Sequence, residues 1–256
     1  MDILYEKKKL EGPGCESYEG LDVEYYIDSE TGEFKAVYTF NNEIVDRIKL
    51  SGRIADRASS LSLIHRDLKS AKEWYQIANE LAGRNELRTD GKLYGNILDL
   101  DLSSEIRALF VASLTFYGKA FSEAKGRKLK MERDWLDSEY FGLHDCIINY
   151  RHNFAAHSGN QDYESAETSL LLIRKNGKTF YQAVTDRKQL SMIGVEDEHV
   201  DMINLFEHAI QVVEKKYNET LERIRTYVMQ KSYSFWCLAA TGKDPVNLDK
   251  LNKKKK

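Results

Sequence analysis

Arg151 and His157 are the two side chains of this chain best suited to work on a phosphate, and they stand in one run, HDCIINYRHNFAAHSG, from His144 to Gly159. Histidine titrates near neutrality and so exchanges protons readily at working pH. Arginine stays charged, and its planar fork holds two phosphate oxygens at once. Metal-free cleavage of a phosphodiester beside a 2′-hydroxyl asks for little more. A base takes the hydroxyl proton, an acid protonates the leaving 5′ oxygen, and positive charge neutralises the crowded phosphorane. The need for a 2′-hydroxyl confines such a reaction to RNA, and flexible single strands reach the in-line geometry most easily. Three further polar side chains flank the pair: His152 and Asn153 directly after Arg151, and His144 seven residues before it.

These residues need a scaffold, and the local pattern supplies a helix. Leu136, Tyr140, Leu143, Ile147, Tyr150 and Phe154 recur at steps of four and three, one buried stripe of an α-helix, with His157 next in line. Ser158-Gly159 reads as the stop, since glycine tolerates the left-handed conformation that closes helices. His157 then sits near a helix C-terminus, where the dipole favours a protonated imidazole. Arg151 lies six residues earlier, about 120° around the helix, while His144 shares the face of Arg151. One helix therefore splays the pair, and a single phosphate is reached more naturally where two such helices meet. A histidine on an apolar stripe also has a plainer reading, as a hydrogen-bonded core residue.

The segment Arg151-His152-Asn153-Phe154-Ala155-Ala156-His157 resembles the Arg-x(4–6)-His motif of HEPN domains, in which a polar residue usually follows the arginine. The preceding run, Leu109 to Lys130 (LFVASLTFYGKAFSEAKGRKLK), is similar to the earlier helix of bacterial HEPN-like proteins, with its aromatic-small-basic centre. The resemblance covers roughly residues 97 to 160. It implies a metal-independent, cofactor-free endoribonuclease acting as a homodimer, with two motifs facing one another across a shared cleft. His157 would be the acid/base, Arg151 the transition-state clamp and His152 the polar neighbour that orients or binds. Asn153 and His144 would add supporting hydrogen bonds on the RNA-binding side. Such domains serve prokaryotic toxin–antitoxin or anti-phage systems, so an antitoxin or other regulatory protein is an implied partner. Two other readings stay open: a non-catalytic HEPN-like scaffold that binds RNA, nucleotide or a partner protein, and a partner-docking module with no nucleic-acid role.

Bulk properties exclude several classes. At 256 residues the chain is long enough for a substantial core. Hydrophobic residues make up 42% and charged ones 31%, a globular balance. No apolar run approaches a membrane span, the N-terminus lacks a signal-peptide core, and Cys15, Cys146 and Cys237 form neither a disulfide framework nor a metal-spaced cluster. A cytoplasmic, membrane-free protein is expected. No metal site is supported, because the six histidines are not set in ligand pairs. The formal net charge of −3 means that nucleic acid must be met by a local basic patch. Lys119, Lys125, Arg127, Lys128, Lys130 and Arg133 form the densest such group, and within it Lys125, Arg127 and Lys128 are the candidate RNA contacts, against the plain reading of a solvated helix end.

The rest of the chain predicts a mainly α fold with small β elements (α+β), a HEPN-like helical bundle decorated by two hairpins. Residues 1–55 carry an N-terminal hairpin, Val23–Ile27 and Phe34–Phe40, with Gly32 available for a positive φ. Residues 56–235 form the helical domain. In it Leu61, Ile64, Leu68, Ala71, Tyr75, Ala78 and Leu81 mark a helix over 60–82. Inside that helix His65-Arg66-Asp67-Leu68-Lys69 spells the start of a protein-kinase catalytic loop, but Lys72 stands where asparagine must hold magnesium, and the apolar period runs straight through it. Residues 84–96 read as a polar connection, followed by a helix from about Leu98 or Ser104 through Lys125. A second hairpin, within 169–184, turns at Asn176-Gly177. With the first it suggests one antiparallel sheet of four strands. A long helix from about Asp197 to Gln230 follows, and residues 236–256 read as a charged tail.

Overall fold

The computed structural model describes residues 3–9, 20–84, 87–89, 92–94, 100–152, 164–176, 178–189, 196–242 and 244–251. The chain is mainly α-helical with small β elements. Strands β1 (Ile3–Lys9), β2 (Leu21–Ile27), β3 (Phe34–Phe40) and β4 (Glu43–Ile44) make an antiparallel sheet in that order. The expected N-terminal hairpin is its centre, with Val23 opposite Tyr38 and Ile27 opposite Phe34. Gly32 takes a φ of 69° in the turn. The Asp28 carboxylate accepts hydrogen bonds from the amides of Glu30 and Thr31, at 3.0 and 2.9 Å, and so holds the loop. Among the described residues the second hairpin does not join this sheet. The single four-stranded sheet expected from both hairpins is corrected, because flanking segments of the N-terminal region fill the outer places instead.

After β5 (Leu50–Ser51) comes α1 (Arg53–Arg84), most of whose predicted stripe is buried: Leu61, Ile64, Leu68, Ala71, Tyr75 and Ala78 are each at most 1% exposed, while Leu81 is half-buried. The helix starts before residue 60 because its first turn has a remote acceptor. The Arg53 amide donates to the Asp249 carboxylate at 3.1 Å, across 196 residues of sequence. Within α1, Asp67 is buried, with Arg66 and Lys119 both 3.0–3.1 Å from its carboxylate. The stretch expected as a plain connection holds a short hairpin, β6 (Leu87–Thr89) and β7 (Lys92–Tyr94). Helix α2 (Leu100–Ala120) stops short of Lys125, since the Ala120 carbonyl accepts the Met131 amide at 2.9 Å and Met131 is buried.

Two 3₁₀ turns, Arg133–Trp135 and Ser138–Tyr140, occupy the part of the sequence where the motif helix was expected to begin. Leu136 is buried between them, so its place in the apolar stripe is kept without a continuous helix. Helix α3 (Phe141–Tyr150) follows, and then the long hairpin of β8 (Glu164–Lys175) and β9 (Lys178–Gln189), with Ser169 opposite Val184 and Arg174 opposite Thr179. Asn176 takes a φ of 51° in its turn. Helices α4 (Glu196–Met229) and α5 (Tyr233–Thr241), strand β10 (Val246–Asn247) and the single turn α6 (Leu248–Leu251) complete the order.

The chain divides into two compact units, one of Met1–Leu63, Ala124–Leu129 and Val213–Lys256, the other of Ile64–Glu123 and Lys130–Val212. In the first, β5 and β10 pair in parallel, and Ile54, Ala55 and Leu248 form a small core covered by Leu50, Ile224, Tyr227, Trp236 and Leu251. Residues 236–242 and 244–251, expected as tail, are folded here through α5, β10 and α6, while 243 and 252–256 lie outside the described residues. The second unit has an aromatic core. Phe206 of α4 lies 5.6 Å from the Tyr75 ring of α1, edge to face, and 5.1 Å from the Tyr117 ring of α2. All three rings are at most 1% exposed, and burying each contributes about 1.5–3 kcal/mol.

Candidate functional site

Helix α3 aims one face inward through His144 and Ile147, which are 5% and 0% exposed. Arg151, four residues on, continues that face just past the helix end. Its backbone is helical (φ −58°, ψ −46°), its amide donates to the carbonyls of Ile147 and Ile148, and it continues with His152 in a wider, π-type turn. Arg151 is half-buried and His152 exposed. The stem of Arg151 is laid over Gly118 of α2, where a Cβ would overlap its Cδ. The Nε of Arg151 is shielded from solvent and has no hydrogen-bond partner among the described residues. A shielded guanidinium N–H of this kind loses more by staying unpaired than it gains in an ordinary bond, so an arriving anion or acceptor is favoured.

His144 lies one layer behind. Its Nδ1 is 2.9 Å from the Tyr117 hydroxyl, and its ring centroid is 4.4 Å from that of Phe121. Burial pushes the imidazole below its ordinary pKa of 6.5, Asp145 raises it in part, and Arg133 lowers it further. Burial, and then the charge of Asp145, pushes the Tyr117 phenol well above its usual range, so it keeps its proton. His144 is thus buried, and its hydrogen bond joins α3 to α2. Beside it, Asp145 takes a two-pronged contact from Arg133, at 2.8 and 2.6 Å, which holds its carboxyl below the usual range. The Arg133 guanidinium also lies over the Phe141 ring, 3.9 Å from its centre.

The basic group is less free than its composition suggests. Lys119 is paired with Asp67, Arg133 with Asp145, and Lys130 with Glu123 and Glu132 at 3.8 and 4.0 Å. Lys125 and Lys128 are exposed, and Arg127 is half-buried. The Lys128 amide donates to the Ser60 hydroxyl at 3.0 Å. These last three residues belong to the first unit, whereas Arg151, His152 and His144 belong to the second. His157 and Asn153 lie outside the described residues. The structure thus brings Arg151, His152 and, behind them, His144 onto one short helix and its terminal turn.

Two supporting residues escaped the sequence reading. Tyr117 partners His144, and Gly118 makes room for Arg151. A signal for the second was present, because glycine inside a helical pattern costs about 1 kcal/mol against alanine and marks a close approach. Among the described residues no group of three or more His, Cys, Asp or Glu is placed to hold a metal ion, and no helix is long and apolar enough to cross a membrane. Comparison with family models, with curated proteins and with solved structures gave no match.

Proposed function

We propose that this chain is a metal-independent endoribonuclease of the HEPN type, cleaving RNA at a composite Arg/His site shared by two copies. The observation that supports it most is the setting of Arg151, a guanidinium propped on Gly118 whose shielded Nε has no partner among the described residues, beside the exposed His152. In this reading Arg151 clamps the phosphate as charge builds on the phosphorane. His157 moves the proton. His152 and Asn153 orient the strand, and His144, held by Tyr117, fixes the helix that carries Arg151. In the first unit, by itself, Lys125, Arg127 and Lys128 would hold RNA phosphates by charge. A cytoplasmic role in a prokaryotic toxin–antitoxin or anti-phage system, restrained by an antitoxin or other regulatory protein, follows from the motif resemblance.

The test is incubation of purified protein with single-stranded RNA in EDTA. Cleavage leaving 2′,3′-cyclic phosphate ends is expected, and it is lost in Arg151→Ala and in His157→Ala while far-UV circular dichroism is unchanged. Products with 3′-hydroxyl ends, or RNA bound without turnover, would reject the nuclease. The second outcome would establish a binding scaffold instead.

A further inference from the structure

His208 of α4 is gripped by a single turn of the segment that leads into α3. The Asp137 amide donates to its Nε2 at 3.1 Å. The Tyr140 ring lies against it, with centroids 4.7 Å apart and planes 23° from parallel. The turn is closed on itself, because the Tyr140 amide donates to the Asp137 carbonyl at 3.0 Å. Helix α3 starts at the next residue, Phe141. All of these residues belong to the second unit. The imidazole thus ties the entry of α3 to α4.

This tie depends on the state of the ring. A ring nitrogen that accepts a hydrogen bond carries no proton, so the neutral imidazole holds its proton on Nδ1. Histidine is the side chain that changes charge around neutral pH. Once Nε2 is protonated, two N–H groups face each other, and the Asp137 amide must turn away. Asp137 is exposed, so water can take that amide and the loss is small. A new acceptor stands on the same residue. The Asp137 carboxylate is 3.8 Å from Nε2, its side chain is 74% exposed, and it makes no capping hydrogen bond to the 3₁₀ turn it precedes. A charge-assisted bond to it is stronger than the neutral bond it replaces. Tyr140 can stay stacked in both states, because an aromatic face also attracts a cation.

The surrounding charges suit this exchange. Burial, and then the charges of Glu139, Asp137, Asp201 and Glu207, hold the Tyr140 phenol above its usual range, so that ring keeps its proton throughout. Lys72 of α1 meets Glu207 at 2.6 Å. We propose that His208 is a pH-operated latch between α4 and the entry of α3. In the neutral ring Nε2 holds the Asp137 amide; on protonation it exchanges that amide for the Asp137 carboxylate and releases the backbone of the turn. The exchange does not depend on the nuclease reading, although the helix whose entry it releases is the one that ends at Arg151.

Amide and ring NMR of the isotope-labelled full chain tests it between about pH 8 and about pH 5.5, the range in which histidines titrate. As the His208 ring takes up its proton, the Asp137 amide signal is expected to move upfield with the same midpoint, as an N–H does on leaving an acceptor. His208→Gln offers an amide oxygen that does not titrate, and with it the Asp137 signal is expected to stay still. Asp137→Asn keeps the backbone amide and removes the carboxylate, so the same movement is expected only at lower pH. An Asp137 amide indifferent to protonation of the ring would overturn the proposal without any variant. So would a movement that persists in His208→Gln, or one that Asp137→Asn leaves at the parent's midpoint.

Discussion

Arg151 crosses α2 at Gly118, and nothing larger than glycine fits beneath its stem. Gly118→Ala therefore sets two effects against each other. The helix gains about 1 kcal/mol from the better helix former, while Arg151 must leave its rotamer to clear the new methyl. Thermal unfolding is expected to shift by only a few degrees, as for a net change of about 1 kcal/mol. The RNA cleavage proposed for this chain is expected to fall about tenfold or more, because a small misplacement of a positioning charge is costly. Full activity in this variant would show that the placement of Arg151 over α2 has no catalytic value.

Tyr117 and His144 support a second prediction. Tyr117→Phe keeps the ring packed 5.1 Å from Phe206 and removes only the hydroxyl that meets His144 Nδ1. The imidazole is left buried and short of a partner, which costs about 1–3 kcal/mol. Urea unfolding should show a lower midpoint at unchanged slope. An unchanged midpoint would mean that this hydrogen bond contributes nothing to holding α3 on α2.

The same imidazole makes stability depend on pH. Burial holds the folded-state pKa of His144 below its ordinary 6.5, so the unfolded chain binds that proton more tightly. The contribution is fully present above about pH 6.5 and is lost as pH falls toward and through the lower folded value. Unfolding midpoints measured at about pH 7.5 and about pH 5 should therefore drop on acidification. His144→Gln should flatten part of that drop, and a variant as steep as the parent would assign the dependence to other groups.

The fourth prediction concerns the start of α1. Asp249→Ala removes the acceptor for the Arg53 amide and is expected to cost about 1 kcal/mol, as the loss of a helix cap does. Hydrogen exchange should quicken first in the opening turn of α1 and in α6, with the helix beyond Ile64 unaffected. Uniform quickening along α1 would show that the cap serves the whole helix instead.

What could be read in the sequence was local. The stripe from Leu61 to Ala78 announces α1 by its period alone, and Gly32 and Asn176-Gly177 announce the two hairpins. The start of α1 could not be read, because its cap comes from Asp249 and no nearby residue signals it. Nor could the makeup of the N-terminal sheet, whose outer places go to the lysine-rich β1 and the two-residue β4. The three-residue strands of β6 and β7 are too short to carry a period. At the site, the seven-residue step from His144 to Arg151 correctly put both on one side of a helix. Gly118 beneath Arg151 is a contact between helices distant in sequence, and only the oddity of a mid-helix glycine pointed to it.

Pairing of Leu50–Ser51 with Val246–Asn247 also fixes an order of assembly. As the polypeptide emerges from the ribosome, every segment of the second unit is available once residue 212 has been made. In the first unit the β1–β4 sheet needs only residues 3–44, but Ile54 and Ala55 lack their cover until Leu248 arrives. The second unit can thus consolidate before the small core around Ile54, a departure from the usual N-terminal-first course. Until that core closes, the apolar side chains of Ile54 and Ala55 stay bare.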